Sequence, residues 1–169
     1  LYGVAFDCWG FDYFYGFLDH MAGHTYYHYR GYIRNAFMGI TENRSDATDS
    51  AQGIYSTDLF TAKAKALISE HVAQKPGEPF FLYLAVNTIH GSGQSDDTLK
   101  CKTPLHVPGR AYPAQGVFWP LEREALEARN TWIDPLYAGL PAPAARYATG
   151  VKRLDDAIGD LMRHLENCG

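Results

Sequence analysis

The sequence has few cysteines, and none of them is spaced like a metal ligand. Its 169 residues include 3 cysteines, at Cys8, Cys101 and Cys168. No Cys-x-x-Cys pair is present, so we do not expect a structural zinc site. The sequence also lacks a Gly-rich phosphate loop and the Gly-x-Ser-x-Gly turn of serine hydrolases. These absences argue against three common classes of functional site.

Long apolar runs and basic runs are missing as well. The longest apolar stretch, residues 79–86, is far shorter than the roughly 18 residues of a membrane span. The 15 basic and 19 acidic residues give a net charge of −4, whereas duplex nucleic acid requires a basic surface. We therefore expect neither a membrane nor nucleic acid as a partner. Because Leu1 is followed by no leader pattern, we expect an internal part of a longer chain.

The first third is rich in aromatic residues and turn-forming residues. Residues 1–40 carry clusters of Tyr and Phe without a helical period. Asn35 lies between two short apolar segments, which predicts a hairpin with Asn35 in its turn. Residues 41–55 are rich in Asp, Ser, Thr and Asn, and we expect them to form a surface loop.

A helix and a buried strand are predicted next. Apolar residues recur at three- and four-residue steps between Phe60 and Val72, which predicts an amphipathic helix capped by Ser56 or Thr57. It should end near Pro76. Residues 79–86 (PFFLYLAV) are apolar on both faces, as in a central strand of a parallel sheet covered by helices. No second run of this type is present. Either residues 1–40 supply strands of a different character or the neighbouring strands lie outside these 169 residues, and we expect the latter.

The clearest helical pattern begins at Ala144. Its apolar stripe comprises Tyr147, Val151, Leu154, Ile158, Leu161, Met162 and Leu165. A continuous stripe of this kind predicts that this face of the helix packs against the core.

Histidines are the main candidates for chemistry. His90 directly follows the predicted strand, and ligands of α/β sheets gather at the carboxyl ends of strands. An imidazole there suits anion binding or proton transfer, although a loop histidine bonded to backbone is the alternative. His20, His24 and His28 have helical spacing and could bind zinc or copper, but Gly23 argues against a regular helix, and we predict no metal site.

Six segments, in this order, resemble motifs of the arylsulfatase family, within the alkaline-phosphatase-like superfamily. They are residues 10–18 (GFDYFYGFL), 55–61 (YSTDLFT), 79–85 (PFFLYLA), 87–90 (NTIH), 104–108 (PLHVP) and 147–161. The resemblance implies an α/β fold with a mostly parallel sheet flanked by helices. Residues 1–169 would form the central segment of a single sulfatase-type catalytic domain, which is incomplete in this chain.

The resemblance also implies sulfuric ester hydrolysis. In the family, formylglycine made from a Cys or Ser in C/S-x-(P/A)-x-R attacks sulfur, and a divalent cation, usually Ca²⁺, neutralises the sulfate oxygens. His90 falls on a family residue that binds a sulfate oxygen and assists the leaving group, although Ile89 replaces the proline of that motif. None of the three cysteines lies in the nucleophile motif, so we expect no activity from this segment alone.

Further expectations concern the substrate and the partners. His24, Tyr27 and His28 are candidates for lining the substrate pocket, because aromatic residues stack on sugar and aryl rings. The substrate would be a sulfated small molecule or carbohydrate, and the partner the rest of the parent chain or a second copy. Family resemblance implies a secreted, periplasmic or lysosomal protein. Two alternatives remain: a phosphate or phosphonate ester hydrolase of the same superfamily, and a non-enzymatic metal-binding or interaction module that uses His20, His24 and His28.

Overall fold

The computed structural model describes residues 10–90, except residues 25, 29, 34, 52 and 53, and residues 133–169. The segment 104–108, Cys8 and Cys101 lie outside the described residues. In chain order the elements are β1 (Tyr15–Gly16), α1 (His20–Gly23), β2 (Tyr32–Ile33), β3 (Ala36–Phe37), β4 (Thr41–Glu42), β5 (Ser45–Asp46), α2 (Thr48–Ala51), α3 (Ser56–Gln74), a 3₁₀ turn (Pro135–Tyr137) and α4 (Ala142–Cys168). None of the described helices is long and apolar enough to cross a membrane.

Two small antiparallel sheets form the first part of the fold. One has the strand order β1–β4–β5, and the other is the β2–β3 hairpin. The hairpin confirms the prediction for Asn35, which lies in the turn with a φ of 69°. Asparagine tolerates this left-handed conformation better than most residues.

The prediction of a surface loop over residues 41–55 is wrong. This segment forms β4, β5 and α2. Thr48 is fully buried, and its hydroxyl accepts a hydrogen bond from the Ile40 amide at 3.1 Å. Asp46 accepts one from the Thr48 amide at 2.9 Å, ahead of α2. The polar residues therefore satisfy backbone groups of tight turns, which their composition alone does not distinguish from a loop.

Helix α3 begins and ends close to the predicted positions. It starts at Ser56 and ends at Gln74, before Pro76 and Gly77, which confirms the predicted end. Its N-cap is Tyr55, without a side-chain hydrogen bond, so the prediction that Ser56 or Thr57 caps the helix is wrong. Both hydroxyls bond instead to the segment that follows residues 79–86.

The segment 79–86 does not form a strand, and only one of its faces is covered. Leu84 and Val86 pack against a core cluster that includes Leu59 of α3. Phe81 and Tyr83 alternate with them and are 79% and 73% exposed. Among the described residues this segment pairs with no strand, and both sheets there are antiparallel. The predicted helix-covered parallel strand is therefore not observed, because it lacks both its pairing partners and a cover for its second face.

Helix α4 packs on α3 through a face different from the predicted one. Ala145, Thr149 and Ala157 are buried; they share one helical face with Arg153, which forms a double hydrogen bond with Asp58 at 2.9 and 2.7 Å. Much of the predicted apolar stripe is exposed instead, namely Tyr147, Val151, Ile158 and Met162. Small side chains permit the close approach of two helices, and apolar periodicity alone does not reveal which face makes it.

Candidate functional site

The segment 79–86 leads into a turn that carries His90. The His90 amide donates a hydrogen bond to the Asn87 carbonyl at 2.9 Å, which closes the turn over residues 87–90. Its Thr88–Ile89 peptide bond is cis. His90 is exposed, so its imidazole is accessible where the sequence predicts a functional side chain.

The turn is anchored to the residues around α1. The Tyr26 hydroxyl donates to the His90 carbonyl at 2.9 Å. The Asn87 side-chain amide donates to the Gly23 carbonyl at 3.0 Å. These two bonds hold the last and the first residue of the turn against the segment that carries His24.

The N-terminus of α3 anchors the same turn from a second direction. Ser56 donates its hydroxyl hydrogen to Asn87 Oδ1 at 2.6 Å. The Thr88 hydroxyl is buried; it bonds to the Thr57 hydroxyl and lies 3.2 Å from the Tyr55 hydroxyl. Burial raises the pKa of Tyr55 to about 12, so this phenol stays neutral at physiological pH.

Two of the predicted site histidines lie side by side. The His24 and His90 rings are 4.9 Å apart between centroids and inclined by 31°. His20 lies next to His24, at 5.9 Å and nearly perpendicular. An exposed pair of imidazoles can supply hydrogen-bond donors to an anion and can transfer a proton.

His28 does not join this group, because α1 ends at Gly23 and no continuous helix aligns the histidines. Its side chain is in the core, with 1% exposure and its ring 5.3 Å from that of Phe17. Nδ1 lies 3.2 Å from the Met38 carbonyl, and Nε2 has no hydrogen-bond partner. Burial lowers the pKa of His28 to about 4. The structure therefore does not bring His28 together with His20 and His24, as the alternative of a metal-binding module would require.

Tyr27 is also buried. Its ring packs on that of Tyr55 at 5.6 Å, and Tyr26 packs on the same residue at 5.4 Å. This tyrosine cluster lies beneath the turn. A cavity of about 10 Å³ adjoins it, lined in part by Tyr26, Ile89 and Arg146, which leaves room for about one water molecule and none for a substrate.

Sequence reasoning missed the residues that hold His90 in place. The position of Asn87 directly after the apolar segment was a weak indication that its side chain belongs to the site. Tyr26 and Ser56 gave no such indication, since their contacts join positions 64 and 31 residues apart.

The described residues offer no set of ligands for the cation that the family uses, and the sequence lacks the nucleophile motif. No group of three or more His, Cys, Asp or Glu side chains in the described parts of the chain is placed to hold a metal ion. No Cys or Ser in the sequence stands in C/S-x-(P/A)-x-R. Within the described parts of the chain, the candidate site comprises His90, its neighbour His24 and the residues that anchor the turn.

Comparisons with known proteins agree with the motifs. The sulfatase family model matches residues 4–169. Arylsulfatase J of Mus musculus is 28% identical over 145 residues, which cover 82% of this chain and 21% of that protein. The chain thus spans about a fifth of the length of this curated relative. No solved structure matches significantly.

Proposed function

The chain belongs to the sulfatase family, and on that basis we propose that it takes part in sulfuric ester hydrolysis as one segment of a longer catalytic domain. Membership implies the alkaline-phosphatase-like α/β fold. Residues 1–169 are the central segment of that domain in this proposal. Neighbouring parallel strands from the rest of the parent chain would then pair with residues 79–86.

Exposed apolar surface supports the view that the segment needs a larger structure around it. Phe81 and Tyr83 form an uncovered apolar face, and Ile158 and Met162 of α4 are more than half exposed. Contiguous apolar surface of this kind typically marks an interface. In the proposal, the rest of the parent chain covers both faces.

His90 is the proposed catalytic residue. Its exposed ring lies at the end of the apolar segment, on the family motif that binds sulfate, and this placement is the observation that supports the role most directly. As imidazolium it donates a hydrogen bond to a sulfate oxygen and gives a proton to the departing alkoxide oxygen. No step of this proposal passes through a metal ion or formylglycine: the described residues show no metal-binding group, and the sequence has no C/S-x-(P/A)-x-R motif.

Substrate contact is proposed for the residues around His90. The His24 ring, 4.9 Å from His90, contacts the same ester. Tyr27 and His28, the other two candidates for lining the pocket, are buried, so substrate contact is not proposed for them. The proposed substrate is a sulfated small molecule or carbohydrate, and the proposed location is secreted, periplasmic or lysosomal, as family membership suggests.

The test uses the parent chain, expressed from the coding sequence that flanks these residues. With an aryl sulfate as substrate, His90→Gln should lower kcat about 10²- to 10⁴-fold, the usual contribution of a general acid. His71→Gln is the matched control, because His71 lies near the end of α3 against Phe80. A His90→Gln variant as active as the control would contradict the proposal, as would turnover by the 169-residue segment alone. Faster turnover of the matching phosphate ester would favour the phosphatase alternative.

A further inference from the structure

We propose that Tyr26 is a positioning residue for His90, which acts through the hydrogen bond from its hydroxyl to the His90 carbonyl. The role of His90 itself rests on the proposed function. Tyr26 has no other part in that proposal, and no sequence motif points to it.

Tyr26 is fixed at both ends, so its hydroxyl is a rigid anchor. Its ring is buried against Tyr55, and its carbonyl accepts a hydrogen bond from the Ser56 amide at 2.8 Å. The hydroxyl then reaches the His90 carbonyl at 2.9 Å and lies 3.4 Å from the Asn87 carbonyl. A buried phenol with two rotatable bonds loses little further entropy in making these contacts.

A second set of hydrogen bonds, made by Asn87, restrains the turn in addition to the bond from Tyr26. Asn87 lies at the opposite end of the turn and is held by Ser56 and by the Gly23 carbonyl. Gly23 directly precedes His24, so this contact ties the turn to the backbone that carries the second imidazole. Tyr26 and Asn87 together therefore hold the backbone of His90 close to the backbone that carries His24.

Tyr26 acts through His90 and does not touch the substrate in this proposal. Its hydroxyl is directed at backbone carbonyls beneath the turn, whereas the His90 side chain is exposed above it. Removal of the hydroxyl should therefore loosen the turn and leave the chemical groups of the site in place.

The experiment compares Tyr26→Phe with the unsubstituted 169-residue chain by NMR. The His90 amide is bonded within the turn, so its hydrogen exchange reports opening of the turn. Loss of one buried hydrogen bond should accelerate this exchange about fivefold and weaken the nuclear Overhauser effect between the His24 and His90 rings. Tyr32→Phe is the matched control, because Tyr32 is 72% exposed and its hydroxyl is far less confined.

The Ile68 amide inside α3 separates a positioning role from a merely structural one. Faster exchange at His90 with unchanged exchange at Ile68 supports the proposal. Unchanged exchange at His90, or equal acceleration at both amides, overturns it. If Tyr26→Phe fails to fold, Ser56→Ala removes one contact of the Asn87 anchor, and the same two amides decide between the outcomes. Neither readout uses a sulfate ester, so the result stands even if His90 proves to have no catalytic role.

Discussion

Acidification should destabilise this protein through His28, and the size of the effect follows from the burial of that residue. The His28 ring is enclosed by Phe17, Phe60 and the Met38 carbonyl. Burial lowers its pKa from 6.5 to about 4, since a charged imidazolium there would lose its hydration. The folded state therefore keeps His28 neutral at a pH where the unfolded chain already binds a proton.

Proton linkage gives the direction and the size of this change in the free energy of unfolding. The free energy of unfolding decreases as the pH is lowered wherever the unfolded state binds more protons than the folded state. For His28 this pH range runs from about 6.5 down to about 4. Above about pH 6.5 the neutral ring costs the folded state no stability, and the loss grows as the pH falls towards about 4. Between about pH 7.5 and about pH 5 the two pKa values give a loss of about 2 kcal/mol in the free energy of unfolding.

Urea denaturation at several pH values measures this loss. His28→Gln retains a polar side chain but cannot titrate, so its free energy of unfolding should fall by about 2 kcal/mol less than that of the unsubstituted chain over the same range. The difference between the two proteins isolates the effect of His28, because all the other histidines are present in both. Parallel pH profiles for the two proteins would refute the reasoning and would mean that His28 is not buried as described.

Three further predictions concern a buried ion pair, the hairpin turn and an exposed apolar side chain. Asp160→Asn should lower the free energy of unfolding, measured by urea denaturation, by about 3 kcal/mol, because it leaves the Lys65 ammonium charged without its partner; Lys65 is 4% exposed and lies 2.6 Å from Asp160. Adding Lys65→Met should recover most of that loss, and a cost near zero for Asp160→Asn would contradict the buried ion pair. Asn35→Ala should cost about 1 kcal/mol because of the positive φ, whereas Asn35→Gly should be close to neutral; equal costs would contradict the turn. Phe81→Ser should change the free energy of unfolding of the 169-residue chain by no more than about 0.5 kcal/mol. The same substitution in the parent chain should cost about 2 kcal/mol. A large cost in the 169-residue chain would contradict the exposure of Phe81.

Local signals in the sequence predicted the features that depend on neighbouring residues. The end of α3 before Pro76 follows from the missing amide and fixed φ of proline. The hairpin turn at Asn35 follows from the tolerance of asparagine for positive φ. The placement of an exposed His90 after the apolar segment was predicted from residue order alone. Family membership, too, was recognisable from short motifs, because they are contiguous in the chain.

Features that depend on distant residues were not predictable in this way. His28 has the same spacing from His24 as His24 has from His20, yet it is buried because the chain leaves the helix at Gly23. The hydroxyls of Ser56 and Thr57 resemble helix caps in sequence but bond to residues 31 positions away. In each case a tertiary contact outweighed the local preference.

The remaining errors have a common physical cause. Both the segment 79–86 and the stripe on α4 were predicted to be buried, and in both several apolar side chains are exposed; Phe81 is 79% exposed although its ring lies 6.1 Å from that of Phe11. An apolar pattern reflects burial in the complete folded protein, since each exposed apolar side chain would cost roughly 1.5–3 kcal/mol of lost burial. Under the proposal that this chain, which spans about a fifth of a relative's length, is one segment of a longer domain, pattern and exposure should disagree wherever the rest of that domain packs. The residues where they disagree are Phe81, Tyr83, Tyr147, Val151, Ile158 and Met162, and the proposal predicts that the rest of the domain covers them.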